Sequence, residues 1–591
     1  MTTQEHSVAA TLQPQEPGGV ADPRGERYKW TALSNTTVGV LLATIDASIM
    51  LIAMPDIFRG IGLNPLGAGN SFYLLWMILG FLIVSSVLVV SLGRLGDMFG
   101  RVKMYNLGFV VYTVASLVLA IDPLKGRPGA LWLIIGRILQ GIGAAFLIAN
   151  SGAILTDAFP TNQRGLALGI NNIAGISGAF IGLILGGLLA PIDWRLVFLV
   201  SVPFGLFGTV WSYMKLEDRG VRRRSRIDWP GNITFAVGLI AVMIGITYGI
   251  EPAGGHDMGW TSLPVITELA IGVASLIAFA IIETRVASPM FRLPLFKIRA
   301  FTFGTLSSFL SAVGRGGLMF MLIIWLQGIW LPEHGFSFTQ TPLWAGIYML
   351  PLTAGFLIAG PASGILSDRF GARPFATGGM IGAAGSFLLL LILPVDFAYW
   401  QFALILLFNG LSMGAFASPN RAGVMNSLPA SERGVGGGMN STFQNSAQVL
   451  SIGIFFTLMI VGLASTLSGA LTNGLTAHGV AASTAARVGH LPPVSILFAA
   501  FLGYNPIQSL VGAKVLGSLS PSNQAALTGH SFFPQLISKP FHSGLTEAFT
   551  FAAVACLVAA LASWSRGTRY VDEGSGNAVD PAPEEVLPVE F

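Results

Sequence analysis

Charge is what this sequence has least of. Only 10% of its 591 residues are Asp, Glu, Lys or Arg, while 53% are hydrophobic and the mean hydropathy is +0.70. A soluble domain carries about 25% charged residues. So few charges cannot cover a water-facing surface of this size, so lipid must be the solvent. Cysteine is nearly missing as well. Cys556 stands alone, which excludes an internal disulfide framework and a cysteine-based metal cluster. The 7 His residues fall mostly outside the apolar runs, and no metal site is expected. No G-x-x-x-x-G-K-[ST] phosphate loop occurs, so ATP is not the expected energy source. Neither H-E-x-x-H nor G-x-S-x-G stands out. Catalytic residues, an enzyme activity and cofactors are therefore not expected. The net charge of +4 reflects where the basic residues fall and is not read as a nucleic-acid surface.

What the chain has is long apolar runs. A bilayer-crossing helix needs about 20 apolar residues, and that ruler gives fourteen spans: 34–56, 72–92, 103–122, 131–155, 166–190, 196–215, 231–250, 263–283, 302–328, 342–366, 375–394, 399–424, 435–464 and 545–565. The 73 glycines suit close helix contact in a bilayer. Lys and Arg gather in GRLGDMFGRVK (93–103), in the cluster from Lys215 to Arg226, and in 283–299. By the positive-inside rule these segments and both termini are expected in the cytoplasm. Residues 1–33 and 566–591 read as polar tails, the first without the apolar core of a signal peptide. Residues 465–544 read as a long extracytoplasmic loop. Its apolar piece 494–512 is expected as an amphipathic or re-entrant element, with a fifteenth span as the alternative.

The motif GRLGDMFGRVK recurs as GILSDRFGAR (364–373), sharing G-x-L-x-D-x-F-G and a nearby arginine. A second series follows in the same order: Gly141 with Gly410, Pro160 with Pro429, Arg164 with Arg433, Gly165 with Gly434, Gly169 with Gly438 and Asn171 with Asn440. Two series in register indicate two homologous six-span halves, 34–215 and 302–565. A pair of inserted spans lies within 216–301. Two parallel halves that rock about a midplane site form a transporter architecture.

Few polar residues lie deep in the spans. Asp46 is the one carboxylate near a span's middle. A charge there costs about 2.5–3.5 kcal/mol on insertion scales, so it signals function or a buried partner. A carboxyl able to take up a proton inside the bilayer is what coupling to a proton gradient requires. Arg137 sits about 9 Å into the fourth span at 1.5 Å per residue, with Gln140 one turn on, able to share its polar network and expected in the substrate cavity. Arg315 and Arg421 are the other intramembrane cations. Arg315 reads as a counter-ion to an anionic substrate or to Asp46, or as the lining of an aqueous cavity. Asn409, Asn440, Gln444, Asn445 and Gln448 line the second-half cavity or bond between helices. Gly93, Asp97, Gly100 and Arg101, with Asp368 and Arg373 as counterparts, read as a gate. An acid at a helix start suits the dipole, and it can pair with an arginine across the halves and bias the conformational balance.

These residues resemble the major facilitator superfamily, in particular its 14-spanning drug:proton antiporters, over about 34–465 and 545–565. The two loop motifs carry the resemblance, together with RILQGIGAA (137–145), IDASIMLIAMP (45–55), DWRLVFLVSVPFG (193–205) and FAIIETRVASPMFRLPLF (279–296). GAFIGLILGG (178–187) is similar to the antiporter motif of the fifth span, but has Gly182-Leu183 where the family has Gly-Pro. Leu51 stands where the family usually has Asn. The resemblance implies an all-α integral membrane protein of the major facilitator fold, two six-helix halves plus two inserted helices. It also implies a monomeric multi-pass exporter of the bacterial inner membrane, driven by protons through Asp46 and Arg137. The expected substrate is an amphipathic or cationic drug or a lipid. A facilitator or symporter for a small metabolite is the alternative, and a non-transporting sensor or assembly subunit is the alternative of another class.

Overall fold

A computed structural model describes residues 23–567, apart from 65, 68, 161–162, 219–226, 255–257, 287, 430–431 and 504. Most of both predicted tails and the centre of the 215–226 basic cluster lie outside the described residues. Among the described residues, fourteen helices are long and apolar enough to cross a membrane: α1 Arg27–Ile61, α2 Asn70–Phe99, α3 Arg101–Ile121, α4 Gly126–Ala158, α5 Leu166–Leu189, α6 Leu196–Lys215, α7 Trp229–Gly249, α8 Leu263–Glu283, α9 Arg299–Glu333, α10 Thr341–Phe370, α11 Ala372–Ile392, α12 Tyr399–Asn426, α13 Val435–Ala477 and α14 Phe532–Ser565. The number of spans is the one the apolar runs predict. Fourteen alternating crossings return the chain to the face from which it started, called here the near face; the other is the far face.

Some ends differ from the prediction. Helix begins at Pro23, inside the predicted N-terminal tail. The stretch 465–544 is far less of a loop than expected, because α13 runs on to Ala477 and α14 begins at Phe532. The added turns are held by stripes of period four. Leu463, Leu467, Leu471 and Leu475 line one helix, and Phe533, Ile537, Phe541 and Leu545 line the other, all buried. Between them lie short helices, among them Pro493–Phe501, every residue of which is buried. Phe498 meets Phe456 of α13 and Phe501 meets Phe320 of α9, with ring centroids 5.4 and 5.2 Å apart. The apolar piece is therefore neither an amphipathic element on the membrane nor a fifteenth span, but a short helix buried against protein.

The halves repeat one packing plan. In the first, α1 packs on α5 and α2 on α4; in the second, α9 packs on α13 and α10 on α12. The α7–α8 hairpin packs beside α2 and α13, where the two halves meet. The repeated loop motif repeats in backbone form too. Gly100 has φ 110° and Gly371 has φ 82°, and each turns the chain directly from one span into the next. Only glycine takes that φ without strain, which explains the final glycine of G-x-L-x-D-x-F-G.

At the far face the halves are sealed. Ile49, Met50, Ile52, Ala53, Met54 and Ile57 of α1 are fully buried. Gln327 Nε2 of α9 donates to the Ile52 carbonyl at 3.4 Å. Leu183 of α5 is buried against Gly346 of α10. Toward the near face, side chains of α1 and α5 between Val38 and Ile176 regain partial exposure.

Candidate functional site

The polar residues of the first half converge on one cluster. Asp46 of α1 and Arg137 of α4 form an ion pair, with the side chains 0% and 1% exposed. Arg137 Nη1 also donates to Gln140 Oε1 at 2.7 Å, and Nε to the Met77 carbonyl of α2 at 3.3 Å. The guanidinium lies over Phe81, 4.3 Å from the ring centroid. Gln140 Nε2 donates to Ser116 Oγ of α3 at 3.0 Å, and the Tyr112 hydroxyl donates to the Leu42 carbonyl at 3.1 Å. Four helices therefore meet at one charge pair. The pair is asymmetric: Asp46 Oδ2 is engaged, whereas Oδ1 is buried without a hydrogen-bond partner. Gln140, expected in the substrate cavity, lies inside this closed network instead.

A seam of small residues runs beside the pair. Gly178, Gly182 and Gly186 of α5 lie directly on α1, and a Cβ on Gly182 would overlap Ser48 Oγ and the Ile45 carbonyl. Leu183, standing where the resemblance expects proline, points the other way onto α10.

The loop motif works inside one half. Arg101 Nε donates to Asp97 Oδ1 at 2.9 Å, and Nη1 reaches Asp157 Oδ1 of α4 at 2.7 Å. Asp97 thus ties α2 to α3 and, through Arg101, to α4; the expected pairing of Asp97 across the halves is not made. Gly93 is in ordinary contact, 3.7 Å from Ala149 as a Cβ would sit, whereas a Cβ on Gly96 would overlap Asn150. The counterpart differs. Asp368 is exposed, and Arg373 stacks 3.8 Å above the Trp564 ring of α14. Contacts across the halves come from residues outside the motif: Ser86 with Ser446 at 3.0 Å, and Arg421 Nη1 with Asn172 Oδ1 at 3.2 Å.

The predicted second-half cavity residues separate. Asn409 is fully buried and donates to Ser386 Oγ of α11 at 2.7 Å, so it bonds between helices and does not line a cavity. Asn440 is buried with Oδ1 unpartnered. Gln444 is partly exposed, and Arg315 is exposed. Arg421, also exposed, stood out in the sequence as an intramembrane cation, but nothing there pointed to its partner.

Residues 36–452 match the sequence profile described as Major Facilitator Superfamily. The chain belongs to the major facilitator superfamily. It is 27% identical over 557 residues to the tetracenomycin C resistance and export protein of Streptomyces glaucescens, covering 93% of this chain and 95% of that one. It is 26% identical over 435 residues to the riboflavin transporter RibZ of Clostridioides difficile, covering 73% and 88%. A bacterial homologue of the human lysosomal transporter Spinster, in an inward-facing and unoccupied conformation, shares the fold with TM-score 0.53 and 15% identity, over 92% of this chain and 98% of that one. This facilitator is a multi-pass membrane transporter and not an enzyme.

Proposed function

We propose that this facilitator exports amphipathic small molecules or lipids by alternating access, driven by the proton gradient, with its near face in the cytoplasm. The orientation follows from Arg94, Arg101, Lys103, Lys215, Arg292, Lys297 and Arg299, all at near-face ends. The observation that carries proton coupling is the unpartnered Oδ1 of a fully buried Asp46. A proton taken up there neutralises the acid and weakens its hold on Arg137, whose guanidinium keeps its own proton. The tie between α1 and α4 then loosens, and α1 is the helix that slides on the glycine seam of α5. The relative named as a tetracenomycin C resistance and export protein supports the direction of transport.

The test is efflux of a fluorescent amphipathic dye from proteoliposomes under an imposed pH gradient. Asp46→Asn is expected to abolish uphill movement while downhill exchange continues, which also shows the variant to be folded. Uphill efflux at the wild-type rate in Asp46→Asn overturns the proton-carrier role. The second reading, a facilitator for a small metabolite, is favoured by Leu183 at the motif position and by the relative named as a riboflavin transporter. It predicts that wild type only equilibrates its substrate, whatever the pH gradient.

A further inference from the structure

Arg315 on α9 and Arg421 on α12 are the intramembrane cations that the charge pair leaves over. Both are exposed; Arg315 lies mid-way along α9, and Arg421 lies in the last turns of α12 toward the near face. Arg315 has no hydrogen bond or ion pair to a described residue. Arg421 has only the amide oxygen of Asn172, at 3.2 Å. Lipid is not what they face. An arginine exposed to hydrocarbon at mid-span costs about 2.5–3.5 kcal/mol on insertion scales, and more on an isolated helix. Three sides of α9 are also taken: Ser307 Oγ bonds Ala559 of α14 at 2.9 Å, Ser311 Oγ meets Met413 Sδ of α12 at 3.9 Å, and Gly317 N donates to Ser451 Oγ of α13 at 2.8 Å. The open side looks toward the first half. Arg421 bridges that same division, since its partner Asn172 belongs to α5. Both arginines therefore lie along the division between the halves.

Among the described residues the surroundings are uncharged, apolar on α9 and amide-bearing on α13, where Gln448 lies against Gly316, and no acid pairs with either arginine. Next to Arg315 on α9, Ala312, Gly316 and Met319 are partly exposed. Asp46 is committed to Arg137, and Asp97 to Arg101. Asp157 is likewise paired with Arg101, Glu432 at the near-face rim is paired with Arg292, and Asp368 at that rim is exposed. From the level of the Ser311–Met413 contact, Arg315 is one turn toward the far face and Arg421 two turns toward the near face. At 1.5 Å per residue they are about 18 Å apart along the axis. The result is one positive group near the near-face mouth and another deeper, beside the partly exposed Ala312 and Met319.

We infer that the substrate is an amphipathic anion, a carboxylate, sulfonate or phosphate on an apolar body. Arg421 draws it in and Arg315 holds its charged group. This deepens the export reading, on which it rests, by naming the substrate class. Arginine suits the task because it stays charged and binds such groups through two parallel N–H donors.

The test reads binding apart from transport. Fluorescence anisotropy of carboxyfluorescein and of ethidium is followed as each is titrated with purified protein in dodecyl maltoside. Carboxyfluorescein is expected to bind more tightly. Arg315→Gln and Arg421→Gln are each expected to weaken it about tenfold or more, as loss of a charged hydrogen bond does, with ethidium unchanged or tighter. Arg315→Lys keeps the charge and is expected to retain most of the preference. Ethidium binding more tightly than carboxyfluorescein, or an anion-to-cation ratio unmoved by both glutamine variants, overturns the inference. Displacement of the dye at lower concentration by dioctanoyl phosphatidic acid than by 1-naphthyl phosphate identifies an anionic lipid headgroup as the source. The reverse order identifies a soluble anion, and displacement by neither overturns the inference. Dye binding without gradient-driven flux overturns export and leaves the anion site standing.

Discussion

Asp46 and Arg137 each offset the cost of burying the other's charge. Removing one charge leaves the other buried and uncompensated, at about 3–5 kcal/mol. Arg137→Gln is therefore expected to lower the thermal midpoint of the purified protein sharply. The double variant Asp46→Asn with Arg137→Gln is expected to lose less than the sum of the two singles, because both charges go together. Strict additivity in melting measurements would show that the two side chains do not share an energetic bond. A second residue carries a pH signature. Glu251, in the turn between α7 and α8, is pushed up to about 7 by burial, and its carboxylate accepts from Ser71 Oγ of α2. Its pKa is higher folded than unfolded, so the fold is favoured while it is protonated, and that benefit is lost as pH rises from about 4.5 to about 7. Glu251→Gln is expected to flatten this part of the melting-temperature profile. An unchanged slope assigns it to other groups. Asp46, Arg137 and Gln140 were legible in the sequence because a charged or strongly polar residue in an apolar run is conspicuous. The partners of Asp97 and Asn409 were not, since each is chosen by geometry that spacing along the chain does not carry.

At the scale of helices, packing is decided by which glycines meet a neighbour. On α5, Gly182 lies directly on the backbone of α1, whereas on α11 a Cβ at Gly378 would meet nothing within 4 Å. Small residues let membrane helices approach closely, so the two positions should respond differently. Gly182→Ala is expected to cut the yield of monodisperse protein and abolish gradient-driven flux. Gly378→Ala is expected to change neither, or to stabilise slightly through the better helix propensity of alanine. Equal behaviour of the two variants in size-exclusion profiles and flux would count against the seam. The same scale shows what the apolar ruler missed. It found all fourteen spans because each buries a long run. It stopped α13 and began α14 too near their apolar centres because it weighed composition and not period. The stripe Leu463, Leu467, Leu471, Leu475 repeats every four residues through Ala-, Gly- and Ser-rich sequence, and Phe533, Ile537, Phe541, Leu545 does the same. Such a pattern marks a helix face packed on protein, which an average over 20 residues dilutes.

For the whole molecule, alternating access requires the far face to open. The structure shows where it is closed. Leu183 of α5 and Gly346 of α10 come from different halves, and a Cβ built on Gly346 sits 3.5 Å from Leu183 Cβ. Disulfides form at Cβ separations of about 3.5–4.5 Å, so Leu183→Cys with Gly346→Cys places two thiols at a bonding distance across the seam. The native Cys556 is buried and distant in the fold from this pair, and Cys556→Ser removes it from the experiment. Each half can still rock as a unit while the link is reduced. Once oxidised, the link holds the halves together at the end that has to part, without touching Asp46, Arg315 or Arg421. Flux through proteoliposomes is expected to fall to background on oxidation and to recover with a reductant, while dye binding from the near face persists in both states. The single-cysteine variants are expected to be insensitive to redox conditions. Full flux through the oxidised, cross-linked protein would mean that the substrate path does not open at the α5–α10 seam, and the two-half rocking cycle would have to be replaced by movement of individual helices.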